Sequence, residues 1–286
     1  VDLAKEVGSD LILGTDPDSD RVGVMVRGAD GEYHTITGNQ MGVLLLDYII
    51  TARRRKGTLP ENAAAISTIV TSKMVRRICD VNDIHFDETF TGFKFMAEKL
   101  AEYQRDGSYQ YVLAFEESYG YMMGDYVRDK DAVTACVMIT EMAAYYFEQG
   151  MTLAQALDAL YEKYGFYGER TLNLVMPGLD GLEKMRALMA QLRREPLQEI
   201  AGTKVVRMRD YQDGSVYVMG LGKMDITPIS GSNVLYFELD DGCSFIVRPS
   251  GTEPKIKVYI LGVGATRAEC DERVQRYAQF AETLRG

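Results

Sequence analysis

From residue 39 to residue 164 the chain alternates short apolar runs with amphipathic stretches of helical period, a rhythm that few architectures other than an α/β layer structure accommodate. Asn39 to Lys56 reads as a helix that buries Met41, Leu44, Leu45, Tyr48 and Ile49 and stops at Gly57. A strand over 63–70 and a helix over 73–81 follow, then a helix over 93–104, a strand over 111–115, and helices over 131–149 and 153–164. Ahead of this region, residues 10–14 and 22–26 form two strands around the turn-rich stretch TDPDSDR, and Asp30-Gly31 closes a hairpin.

Beyond residue 165 the rhythm changes. A strand over 167–176 and a helix over 179–194 precede strands at 205–209, 234–239, 244–247 and 255–261, and a helix over 267–284 ends the chain. Strands that close together, backed by a helix, predict a small antiparallel α+β module. The expected domains are residues 1–37, 38–195 and 196–286.

Charge and cysteine usage narrow the function. With 32 basic against 42 acidic residues the net charge is −10, unsuited to general nucleic-acid binding, so an anionic ligand needs a local basic site. Apolar runs such as Met41 to Leu46 fall far short of the ~20 residues a membrane span requires. Cys79, Cys136, Cys243 and Cys270 are widely spaced with no CxxC pair, which predicts reduced thiols and a cytoplasmic setting. Two histidines, His34 and His85, leave little scope for histidine-based triads or metal centres.

Three loops carry chemistry. Asp16, Asp18 and Asp20 alternate along one turn; in an extended strand carboxylates two apart would stand ~6.6 Å from each other, but Pro17 bends the loop and lets them curl inward. Such hard oxygen donors suit Mg²⁺, whereas an EF-hand is excluded by Arg21 and Arg27, which stand where glycine and glutamate belong. An Asp-rich turn held by its own hydrogen bonds is the structural alternative. Arg21, directly after the carboxylates, favours a place where metal and phosphate meet.

The second loop, Arg248-Pro-Ser-Gly-Thr-Glu-Pro254, lies between two strands. Ser250, Gly251 and Thr252 offer hydroxyls and backbone N–H groups, Gly251 allows the positive φ of an anion nest, and Arg248 offers a bidentate fork. In the next strand Lys255, Lys257 and Tyr259 share the face opposite Ile256, Val258 and Ile260.

The third is Glu116-Glu117-Ser118 at the end of a buried strand, neighbouring acceptors beside a hydroxyl of the sort a polyol needs. Thr91-Gly92-Phe93-Lys94 and Arg128-Asp129-Lys130-Asp131 each bring a cation near an anionic ligand, or else are helix caps with surface ion pairs.

In this order GTDPDSDRVGV, TGFK, FEES, RDKD and RPSGTEPKIKVY resemble the α-D-phosphohexomutases, the phosphoglucomutase/phosphomannomutase family. The resemblance runs from about Gly14 to the last helix and implies a fold of a partial second-domain remnant, an α/β third domain and a small α+β fourth domain. It implies Mg²⁺ on Asp16, Asp18 and Asp20, with Arg21 beside the catalytic phosphoserine and Lys130 assisting proton transfer. Glu116 and Ser118 would grip the sugar's 3- and 4-hydroxyls, with Glu117 and Arg128 near them. Gly92, Phe93 and Lys94 would form a second sugar-contacting loop. Arg248, Ser250, Gly251, Thr252 and Lys257 would clamp the non-reacting phosphate; many relatives carry Arg at the position of Lys257.

The family's nucleophilic serine lies in a TASHNP-like loop of its first domain, and no such run occurs here; STIVTSK, GSY and ISGSN do not resemble it. The resemblance therefore implies the C-terminal part of a phosphoglucomutase, inactive alone, whose partners are a hexose phosphate, its bisphosphate intermediate and the absent N-terminal domains. A phosphomannomutase or a non-catalytic sugar-phosphate-binding module is the alternative reading.

Overall fold

The computed structural model describes every residue except Pro177, Leu179, Thr252 and Gly286. Two compact units divide at Tyr164/Gly165. No helix among the described residues is long and apolar enough to cross a membrane.

The first unit opens with α1 (Asp2–Val7), then β1 (Leu11–Thr15), β2 (Val22–Arg27) and β3 (Tyr33–Ile36), which pair in that order as an antiparallel sheet. Next come α2 (Gly38–Lys56), β4 (Ala63–Thr68), α3 (Met74–Asn82), β5 (His85–Thr89), α4 (Phe93–Asp106), β6 (Gln110–Phe115), β7 (Tyr121–Met122), α5 (Ala132–Phe147) and α6 (Leu153–Tyr164). The second sheet has the order β5-β4-β6-β7, with β4 parallel to β5 and β6 and the short β7 antiparallel at the edge.

Alternation along the buried strands sets the two faces of this sheet. Ala64, Ile66 and Ala114 meet Phe93, Met96 and Leu100 of α4. Phe115 points to the other face, against α2, where a Cβ added to Gly42 would fall 1.9 Å from its ring. Helix α2 starts in a full capping box: Thr37 Oγ1 accepts from Gln40 N, and Gln40 Oε1 accepts from Thr37 N. It ends at Gly57 in the left-handed conformation, where the sequence placed its stop.

The second unit contains β8 (Phe166–Val175), α7 (Gly181–Arg194), β9 (Glu199–Ile200), β10 (Thr203–Asp210), β11 (Ser215–Val218), β12 (Gly222–Ile226), β13 (Leu235–Leu239), β14 (Ser244–Pro249), β15 (Lys255–Gly264) and α8 (Arg267–Glu282), with a final 3-10 turn, Thr283–Arg285. The sheet runs β12-β11-β10-β13-β14-β15-β8, antiparallel throughout, with β9 paired to β10. Its core joins Leu235, Phe237, Phe245, Val247, Ile256 and Val258 to residues of α7 and α8.

Strand β8 pairs with β15 along ten residues, so β8 and α7 lie in the second unit, whereas the sequence reading groups residues 165–195 with 38–164. The helix expected from Leu179 begins, among the described residues, at Gly181. Residues 1–37 lie within the first unit. The four cysteines are free, and three of them are buried.

Candidate functional site

Parallel strands β4, β5 and β6 end at the same edge of their sheet, and the loops that follow carry the polar residues, as expected for ligand sites in open α/β sheets. Beyond β6, Glu116 is 8% exposed and accepts a short hydrogen bond from the backbone N–H of Gly92, which stands after β5. Ser118 Oγ donates to its second oxygen at 3.3 Å. Gly92, at φ 117°, is the N-cap of α4, a conformation that favours glycine. Beside Glu117, Thr68 Oγ1 donates to Oε2 at 3.4 Å and shares a 2.9 Å hydrogen bond with Thr71 Oγ1. Ser72 N donates to the buried Asn39 Oδ1. These hydroxyls lie in the TIVTSK stretch; their place at the end of a parallel strand was the signal that would have marked them.

The aspartate turn joins the same loops. Arg21 bridges Gly120 in antiparallel fashion, Val22 N donates to Tyr119 O at 3.2 Å, and Ala132 N donates to Ser19 O at 3.1 Å. Asp16 Oδ1 accepts from the backbone N of Asp20 and of Arg21, and its Oδ2 accepts from Arg21 Nε at 2.9 Å. Desolvation pulls the Asp16 pKa upward, but these hydrogen bonds outweigh it and hold the group below its ordinary value. The hydrogen bond to Asp16 raises Arg21 in turn.

Lys130 Nζ lies 2.9 Å from Asp20 Oδ2 and 3.3 Å from Asp129 Oδ1. Desolvation works against its charge; the two carboxylates win, and its pKa is raised. Asp20 Oδ1 is buried without a hydrogen bond, 3.5 Å from Arg21 Nε, and Asp18 is exposed at the tip of the turn.

Hard carboxylate oxygens of the type a divalent cation takes stand together on one turn, and one of them, Asp20 Oδ1, is buried without a hydrogen bond. Among the described residues no group of three or more His, Cys, Asp or Glu side chains is arranged to hold a metal ion, and Arg21 and Lys130 face Asp16 and Asp20.

Of the other predicted residues in this unit, Phe93, the first residue of α4, is 5% exposed and packs in the core. Lys94 is exposed with its ammonium over the Phe95 ring. Arg128 is also exposed, and its Nη2 donates to Gln104 Oε1 at 2.5 Å on α4.

In the second unit Arg248 and Lys257 are opposed residues of β14 and β15, so both side chains stand on one face of the sheet. The loop between the strands closes by Ser250 N donating to Lys255 O at 2.8 Å and Glu253 N donating to Ser250 Oγ at 3.2 Å. Lys255 is ion-paired with Glu253. Gly251 is not among the glycines at positive φ, so the nest expected of it is not formed in that way. Tyr259 is buried, which limits the polar face of β15 to its first residues. Thr252 lies outside the described residues.

The first unit gathers carboxylates and cations at one sheet edge, and the second unit by itself carries a cationic hairpin. Residues 37–164 match the model described as phosphoglucomutase/phosphomannomutase, alpha/beta/alpha domain III, and residues 173–279 match the phosphoglucomutase/phosphomannomutase C-terminal domain. The chain belongs to the α-D-phosphohexomutase family and carries its third and C-terminal domains.

A phosphoglucomutase of Staphylococcus aureus is 37% identical over 261 residues, covering 91% of this chain and 46% of that protein. The chain thus spans about half the length of the curated relatives it matches. Among solved structures, a putative phosphomannomutase of Thermus thermophilus superposes with a TM-score of 0.63 at 16% identity, over 99% of this chain and 48% of its own. An N-acetylphosphoglucosamine mutase of Aspergillus fumigatus, in complex with GlcNAc-6P and magnesium, gives 0.53 at 13% identity, over 100% of this chain and 53% of its own. At those identities the likeness is one of fold.

Proposed function

We propose that this chain is the C-terminal part of a cytoplasmic phosphoglucomutase that interconverts glucose 1-phosphate and glucose 6-phosphate through a phosphoserine and a bisphosphorylated sugar. The single observation that carries this reading is the junction of the Asp16–Arg21 turn, the Glu116–Ser118 loop and Lys130, tied by the bridge from Arg21 to Gly120 and the ion pair from Lys130 to Asp20. Residues 1–37 would then be the end of the family's second domain, and the phosphoserine would come from sequence this chain does not contain.

Asp16, Asp18 and Asp20 would hold Mg²⁺, which when bound neutralises the charge of the transferring phosphoryl group. Arg21 adds a guanidinium beside that place and Lys130 an ammonium that can hold or release a proton. Glu116, Glu117 and Ser118 accept and donate to sugar hydroxyls, with Gly92, Lys94 and Arg128 at the margin. Arg248, Ser250, Gly251, Thr252 and Lys257 take the non-reacting phosphate, and that remote grip orients the reacting hydroxyl. A grip on the hydroxyls midway along the ring serves either orientation of the bisphosphate. The EES loop favours glucose or mannose over amino sugars, and RDKD leans towards glucose.

The test is a coupled assay of glucose 1-phosphate conversion. The 286 residues alone should bind glucose 6-phosphate weakly and turn nothing over, and the longer polypeptide with an upstream serine loop should be active. Ordinary turnover by the isolated chain would refute the missing nucleophile; an inactive longer polypeptide that still binds would favour the non-catalytic module.

A further inference from the structure

Lys130 does not reach Asp20 unaided. Its ammonium lies 5.5 Å from the centroid of the Phe93 ring, over which a cation is attracted. That ring is held in place, because Phe93 is 5% exposed and belongs to the core cluster that includes Ala64, Ile66, Met96 and Met122. On the other side stands Gly120, whose φ is not in the left-handed region, so the backbone there does not ask for glycine. Space does: a Cβ at position 120 would lie 2.8 Å from Phe93 Cε2 and 3.0 Å from Lys130 Cδ. Gly120 cannot retreat, since its carbonyl accepts from Glu116 N at 3.0 Å and its strand bridges Arg21.

We propose that Gly120 and Phe93 are positioning residues for Lys130: the missing side chain of one and the ring of the other form a seat that holds the ammonium on Asp20. The inference rests on the reading of Lys130 as a residue of the mutase reaction, with Gly120 and Phe93 acting through Lys130. The seat accounts for the glycine of SYG and for the aromatic residue of TGF, which the sugar-binding reading of that loop did not explain.

The test is a double-mutant cycle in the longer, active polypeptide, comparing Gly120→Ala, Lys130→Ala and the pair. Gly120→Ala should lower kcat about tenfold or more, the scale on which a catalytic group displaced by about 1 Å costs rate, with KM for glucose 1-phosphate changed by less than about twofold. In the Lys130→Ala background the same substitution should change kcat by less than about twofold. Equal losses in both backgrounds would overturn the proposal, since a residue with a merely structural role lowers activity whether or not Lys130 is present.

Two further measurements close the remaining gaps. Phe93→Leu, run through the same cycle, should be equally silent in the Lys130→Ala background and serves if Gly120→Ala fails to fold. Amidination of Lys130 in the 286-residue chain, followed by mass spectrometry, reads the seat without activity; Gly120→Ala should speed it several-fold, and an unchanged rate would overturn the proposal. A Lys130→Ala enzyme with wild-type kcat would instead refute the role given to Lys130 in the reaction, leaving the labelling result to judge the seat.

Discussion

Glu116 accepts the backbone N–H of Gly92 on one carboxylate oxygen and the Ser118 hydroxyl on the other. A buried carboxylate at the end of β6 thereby fixes the loop that leads into α4. Substituting Glu116 with Ala leaves the Gly92 N–H without its acceptor and should cost ~1–3 kcal/mol of stability. Urea denaturation would measure the loss. Calorimetric titration with glucose 6-phosphate would show weaker binding in the same variant, and Glu116→Gln, which keeps an acceptor for Gly92, should recover most of the stability but little of the affinity.

Gly42 lets α2 lie directly on Phe115, with no room for a methyl group. Gly42→Ala therefore overpacks the core of the first unit, and the cost should be at least ~2 kcal/mol despite the better helix propensity of alanine. Gly31→Ala meets no neighbouring atom but adopts positive φ, so its cost should be smaller and conformational only. Thermal midpoints of the two variants, compared side by side, check the ranking.

Asp131 is the N-cap of α5, where its Oδ1 accepts from Val133 N and Thr134 N. Desolvation raises its pKa, but the hydrogen bonds from Thr134, Tyr126 and the backbone prevail and hold it below the usual carboxylate value. A depressed folded-state pKa means that this stabilisation is present above the unfolded value of ~3.9 and is lost as pH falls through the native one. Asp131→Ala should thus cost ~1 kcal/mol at pH 7, and the gap to the unsubstituted chain should narrow below about pH 4. Denaturation curves across that range would contradict the account if the gap were constant.

Arg248 and Lys257 face the same side of the second unit's sheet, and neither forms an ion pair among the described residues. Truncating Arg248 to Ala should weaken glucose 6-phosphate binding by about 10- to 100-fold, the value of a charged hydrogen-bonding group, with little change in melting temperature. Arg248→Lys should fall between, because it restores charge without the planar fork. Unaltered affinity in both variants would remove the hairpin from the site.

Helices α2 and α5 were readable because they carry their own punctuation, Gly57 at the end of one and Asp131 at the start of the other. Strand β5, sequence HFDET, was not, since an edge strand with half-exposed polar side chains has no apolar period to detect. The grouping of β8 with the second unit was hidden for a related reason. Strand β8 finds its partner only in β15, far along the chain, and local pattern holds no trace of such a pairing. At the site, the residue types and spacing of the aspartate turn were legible. The burial of Phe93 was not, because an aromatic residue at a helix start reads equally well as a wall for ligand or a floor for a neighbour.

The backbone bridge between Arg21 and Gly120 ties the aspartate turn to the Glu116–Ser118 loop, so a shift of one is felt by the other. If a divalent ion tightens this loop around a sugar, reciprocity requires the sugar to tighten the ion by the same factor, so each ligand would act as a heterotropic effector of the other. Chelation would then be felt first as a lost taste for hexose.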